Sequence, residues 1–300
     1  MEPSGVLTVN KGEGMTSHDV VNRIRRLYGT RRVGHTGTLD PLATGVLVVL
    51  VGRAAKAAEY LVADSKEYIA TLRLGITTDT EDITGSTLTR SDTIPTQAEV
   101  VDTVGGFVGD IMQTPPMYSA LKVNGRKLCD LARQGMEIER EARPITIHSI
   151  QCTPTESERD YILEISCSSG TYIRTLCADI GKALGCGAAM ATLCRSRAGE
   201  FKLSESHTLE ELEALTLDAR HALLRPTESL FSSLPEVRLP AFYEKLSRSG
   251  CEIYQKKIKT AYSVGQRVRL CSERGEFYAL GEVKEYENGT AIKSIKLFDV

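Results

Sequence analysis

Gly34-His35-Thr36-Gly37-Thr38-Leu39-Asp40-Pro41-Leu42-Ala43-Thr44-Gly45 runs directly into Val46-Leu47-Val48-Val49-Leu50-Val51. The first stretch has three glycines and no apolar period, so it reads as a loop. The second is an unbroken apolar run of strand length and reads as a buried strand. Upstream, Gly5 to Asn10 reads as a short strand. It is followed by a helix capped at Thr16 or Ser17, with Asp19 in its first turn and Val20, Ile24 and Leu27 on one face. Downstream come a helix over Arg53 to Leu61, a strand over Lys66 to Leu74, a polar turn over Thr77 to Gly85 and a helix over Thr96 to Val104.

Met117 to Lys122 reads as a further strand. Residues 123–143 are polar and charged, with a short helical pattern around Leu128 and Leu131, and look like an insertion. Strand patterns resume at Ile145 to Cys152 and Tyr161 to Cys167. A helix from Thr171 carries Ile173, Leu176, Cys177, Ile180 and Leu184 on one face, and a strand lies near Met190 to Cys194. After an acidic helix and loop, Pro226, Pro235 and Pro240 punctuate a boundary. Gly265 to Cys271, Phe277 to Val283 and Thr290 to Phe298 then read as short strands. The expected architecture is mixed α+β in two domains, 1–235 and a small β domain over 236–300.

Composition narrows the function classes. The chain has 300 residues, 41% hydrophobic and 25% charged, which suits a globular protein and excludes a disordered or collagenous one. Its longest apolar run is far below the roughly 18 to 20 residues of a membrane span, and no basic start with an apolar stretch marks export. The eight cysteines form no CxxC, and the five histidines form no HExxH and no Cys/His cluster, so no metal is expected. Buried Cys167 and Cys177 fit a reducing cytoplasm. There is no GxxxxGK[ST] loop, and Gly185-Cys186-Gly187 follows a helix and lacks a third glycine, so no nucleotide cofactor is expected either.

Net charge is −2, yet charge is unevenly spread. Arg23, Arg25, Arg26, Arg31 and Arg32 cluster without an acid, and residues 245–274 are basic, whereas 205–236 are acidic. Two polar groups stand out. Asp40 precedes a proline that biases it toward extended backbone, holding its side chain out from the loop. The same Asp-Pro is also an ordinary turn former, and local chemistry leaves both readings open. Arg174 falls in the first turn of its helix, where the macrodipole disfavours a cation, so a carboxylate partner would make sense of it. Tyr68, in Lys66-Glu67-Tyr68, also fits a half-buried strand position.

Taken together, GHTGTLDPLATGVL (34–47), KEYIATLRLGITTDTED (66–82), MYSALKVNGRKLCDLARQG (117–135), REARPI (140–145) and CSSGTYIRTLCADIG (167–181) closely resemble the TruB family of tRNA pseudouridine synthases, in family order. One departure is Asn10-Lys11-Gly12, where the family commonly has Asp-Lys-Pro. The resemblance implies a catalytic domain around an antiparallel sheet, an RNA-clamping insertion at about 123–143 and a C-terminal PUA-like domain. It also implies isomerisation of a uridine in the tRNA T loop, at position 55, without cofactor or metal, by a cytoplasmic monomer needing no protein partner.

Residue by residue, Asp40 matches the catalytic aspartate and Arg174 the arginine paired with it. Tyr68 matches the tyrosine that stacks on the base, Tyr172 and Leu193 correspond to pocket-lining positions, and His35 resembles the histidine that helps displace the base. Expected RNA contacts are Arg23, Arg31, Arg32, Lys122, Arg126, Lys127, Arg143, Lys256 and Lys257. Two other classes stay open on sequence grounds. A non-catalytic RNA-binding or RNA-folding module would have no need of Asp40, Tyr68 and Arg174 together, and a nucleosidase acting on free nucleosides would have no need of the insertion or the second domain.

Overall fold

The computed structural model describes residues 3–60, 65–119, 121–123 and 125–298. A mixed α+β body forms around a nine-stranded sheet whose main path runs Gly5–Lys11, Thr44–Val51, Ala188–Ala198, Lys66–Leu74, Asp160–Cys167, Arg143–Pro154, Gly109–Gln113. All neighbours on this path are antiparallel except one. Thr44–Val51 meets Ala188–Ala198 in parallel, with Thr44 opposite Cys194 and Gly45 opposite Arg195. That junction fixes the end of the glycine-rich loop. Gly45 has φ +97°, and a Cβ there would lie 2.3 Å from the Arg195 carbonyl oxygen, so only glycine lets the two backbones approach.

Helices cover one face. Ser17–Leu27 starts with a capping box, since Thr16 and Asp19 satisfy each other's backbone N–H, and it buries Val20, Val21 and Ile24. Ile173–Ala183 buries Ile173, Leu176, Cys177 and Ile180 against the alternating inward residues Tyr68, Ala70, Leu72 and Leu74 of the central strand. The opposite face of that strand is open, and Ile69 is 43% exposed.

Several local expectations change. Gly52–Tyr60 is a 3-10 helix, and Leu61, the expected helix end, lies outside the described residues. Residues 117–119 and 121 are not strand, and only Lys122–Val123 pairs there. Pro115 and Pro116 remove donors before this segment, which folds on itself through Ser119 N–H to the Met117 carbonyl. The helix expected from Thr171 begins after Tyr172, which makes no side-chain cap. Thr171 Oγ1 donates instead to the Ser168 carbonyl. The Gln113 side chain does the holding, accepting from Tyr172 N–H and donating to the Tyr172 carbonyl.

A second, five-stranded sheet runs Glu236–Arg238, Arg267–Cys271, Phe277–Tyr286, Gly289–Leu297, Ile253–Tyr254 around its own core of Val237, Val268, Leu270, Tyr278 and Val283. It is fastened to the larger body. Phe231 packs with Phe277 and Phe298 at ring-centroid distances of 5.7 to 6.0 Å, Arg269 pairs with Glu228, and Lys296 meets Glu59 at 2.7 Å. No helix among the described residues is long and apolar enough to cross a membrane.

Candidate active site

Arg174 is the hub of the site. Its side chain is 5% exposed, and its Nε lies 2.8 Å from Asp40 Oδ2. Nη1 donates to the Thr80 carbonyl and Nη2 to the Tyr118 carbonyl, both at 2.8 Å. One guanidinium thus ties together the glycine-rich loop, the 76–90 hairpin and the irregular segment before the insertion. Asp82 is a second carboxylate on it, 3.9 Å from Nε. Asp82 Oδ1 is already occupied by Thr80 Oγ1, Thr84 N–H and Thr84 Oγ1. Asp40, with its side chain 37% exposed, is the carboxylate of the two that reaches solvent.

Asp40 opens into a cavity of about 320 Å3, within the range of small-molecule sites. Its walls include Thr38, Leu39, Lys66, Tyr68, Ser119, Leu121, Tyr172, Ile173, Arg174 and Leu193. Asp40, Tyr68, Tyr172, Arg174 and Leu193 therefore share one cavity although up to 153 residues (193 − 40) separate them. Burial pushes the phenols of both Tyr68 and Tyr172 above their ordinary value. A carboxylate held by a guanidinium in a half-open pocket walled by two tyrosines can act as nucleophile or as electrostatic stabiliser, and a phenol beside it can carry a proton.

The loop bearing Asp40 is held from behind by three side chains that sequence patterns did not single out as functional. Ser17 Oγ donates to the Leu39 carbonyl and accepts from Leu39 N–H. Lys11, fully buried, donates from Nζ to the carbonyls of Gly12, Met15 and Pro41. Burial pushes this ammonium down to about 8, with Asp40 acting in the opposite direction. Arg195 donates to the carbonyls of Gly37, Thr38 and Val46. The available signals were a lysine ending an apolar strand and an arginine inside a strand of small and apolar residues. Either pattern is as common on a solvated edge.

His35 does not line the cavity. It ends the short strand Val33–His35, its Nδ1 is buried without a partner, and burial with the Arg195 charge pushes its imidazole below the ordinary value. The expected RNA contacts are spread over the surface. Arg31, Arg32, Arg126, Arg143, Lys256 and Lys257 are exposed. Arg23 forms a surface ion pair with Glu213 at 2.5 Å. Arg143 stands opposite Gln113, the residue that holds Tyr172, at the rim of the site. Lys256 donates to the Asn288 carbonyl and lies 5.7 Å from the Tyr254 ring centroid. The side chains of Lys122 and Lys127 lie outside the described residues.

Comparison with known proteins gives one consistent family. Residues 25–173 match the model of the TruB family pseudouridylate synthase N-terminal domain, and residues 174–232 that of the tRNA pseudouridylate synthase B C-terminal domain. The chain is 41% identical over 295 residues to the tRNA pseudouridine synthase B of Clostridium kluyveri, covering 98% of this chain and 99% of that one. It is 48% identical to that of Dechloromonas aromatica, over 78% of each. Among solved structures, the Cbf5-Nop10-Gar1 complex gives a TM-score of 0.76 at 27% identity, covering 98% of this chain and 84% of that one.

Proposed function

The chain belongs to the TruB family of pseudouridine synthases, and on that premise we propose that it isomerises uridine to pseudouridine at position 55 in the T loop of tRNA. The observation that carries this is the Asp40–Arg174 pair at the mouth of a cavity walled by Tyr68, Tyr172 and Leu193. In this reading Asp40 is the catalytic carboxylate, Arg174 orients it, and Tyr68 stacks on the uracil and accepts a proton. Tyr172 and Leu193 close the pocket, and His35 helps to displace the base. Isomerisation conserves every atom and electron of the nucleotide, so the proposed reaction calls for no cofactor. Extrusion of the base costs a few kcal/mol, offset by stacking and backbone contacts.

Those contacts are assigned to Arg31, Arg32, Arg126, Arg143, Lys256 and Lys257, on a synthase domain over 1–235, its insertion at 123–143, and a PUA-like RNA-binding domain over 236–300. The same reading has the enzyme work in the cytoplasm as a monomer on the T arm, without a protein partner. The test is carbodiimide mapping of a tRNA transcript incubated with the purified protein. A single new reverse-transcription stop reporting an adduct on position 55 supports the proposal, and an adduct on another uridine, or none, contradicts it.

A further inference from the structure

Arg195 does more than a loop anchor needs. It is 2% exposed in strand Ala188–Ala198, and the register sets it directly opposite Tyr68 on Lys66–Leu74. Paired residues of antiparallel strands send their side chains to the same face, about 5 Å apart at Cβ. A guanidinium has five N–H groups. Three are used, on Val46 at 2.7 Å, Thr38 at 3.4 Å and Gly37 at 3.1 Å. One N–H on each terminal nitrogen is left over. No carboxylate among the described residues pairs with Arg195, and a buried cation without a counter-charge is expensive.

Tyr68 is the group placed to use it. The phenol is buried, and burial raises it, whereas the charge of the Arg195 guanidinium across the strand pair opposes that rise. The other groups around the pair do not replace Arg195. Asp40 pushes the phenol up. Cys167, on the next strand, is itself raised to about 11 by burial. Arg174 is paired with Asp40, and Lys66 lies on the cavity wall. Lys11 and His35 act on the Arg195 side.

We infer that Arg195 is a positioning residue for the proton step, its fixed guanidinium stabilising the Tyr68 phenolate that removes the proton from C5 of the target uracil. This rests on the isomerase reading above. Once C1′ has moved from N1 to C5, the C5–H bond breaks and its electron pair forms the C5=C6 bond. The pair held between N1 and C6 returns to N1, which takes a proton from water. The C5 proton goes to Tyr68 Oη, giving the neutral phenol, which returns it to water. Arg195 acts through the phenol and not on the base.

The test follows single-turnover release of C5 tritium from labelled tRNA across pH, with Arg195→Gln and Arg195→Met as two neutral variants and Arg195→Lys as the charged one. Both neutral variants are expected to move the acid limb of the rate up by at least about one pH unit and to be about tenfold or more slower at pH 7. They recover toward the wild-type rate at the alkaline end, with tRNA affinity held. Arg195→Lys keeps the limb in place. Phenolate absorbance of each protein, less that of its Tyr68→Phe counterpart, gives a Tyr68 midpoint that moves in parallel. Slowing by the same factor at every pH, with that midpoint unmoved, reduces Arg195 to a loop anchor and overturns the inference. If wild type releases no tritium, the isomerase reading falls, and the absorbance titration still decides whether Arg195 governs Tyr68.

Discussion

Replacing Arg174 with Met and Asp40 with Asn removes the same ion pair from its two ends, and the structure makes the two costs unequal. Arg174→Met deletes the 2.8 Å contact to Asp40 and the two donors to Thr80 and Tyr118 from a side chain 5% exposed. It also leaves buried Asp82 without its nearest cation. Breaking a buried charge pair from one side costs about 3 to 5 kcal/mol. Asp40→Asn removes only charge from a side chain 37% exposed, where solvent screening holds the cost to about 1 kcal/mol or less. At roughly 2 to 4 °C per kcal/mol, Arg174→Met should lower the melting temperature by roughly 6 to 20 °C and Asp40→Asn by only a few. Urea unfolding of both single variants and the double variant closes the cycle, with an expected coupling of about 0.5 to 1 kcal/mol. Equal single costs, or strictly additive ones, would refute Arg174 as the hub of three segments.

Three further outcomes follow from the same geometry. Gly45→Ala drives a Cβ to 2.3 Å from the Arg195 carbonyl oxygen and should cost at least about 3 kcal/mol by forcing apart the parallel junction; a loss of unfolding free energy below about 1 kcal/mol in denaturant titration contradicts that register. The His35 imidazole is held below its ordinary 6.5 by burial. The unfolded chain therefore binds the proton first, and the stability from this group, complete above about pH 6.5, is lost as pH falls toward the lowered folded value. His35→Gln should flatten the decline in urea midpoint over that acid window, and an unchanged decline argues against it. Lys257→Ala should weaken tRNA binding at low salt and reduce the slope of log affinity against log salt by about one; an unaltered slope takes that surface out of the RNA interface.

The long periodic segments were legible from the sequence because burial writes a period into them. The run at 46–51, the alternation of 66–74 and the apolar face of the helix at 173–183 all became core. Elements whose reason lies elsewhere in the fold were not legible. Thr87–Arg90 is exposed at all four positions and pairs only as the edge of a small hairpin. Gly109–Gln113 is an edge strand with Met112 63% exposed. In the site, the carboxylate partner that a first-turn arginine calls for could be anticipated, and Asp40 meets Arg174. Lys11 and Arg195 could not be, because their partners are backbone carbonyls of a loop, and carbonyls carry no sequence signal.

In the proposed reaction the carboxylate of Asp40, facing the cavity beside Tyr68, carries out the isomerisation. The most direct measurement is tritium release from tRNA transcript labelled at uridine C5, comparing wild type with Asp40→Asn, together with the tRNA affinity of each. Release by wild type alone, with nearly equal binding, is the predicted result. Release by Asp40→Asn at a comparable rate, or a loss of binding as large as the loss of rate, would contradict it.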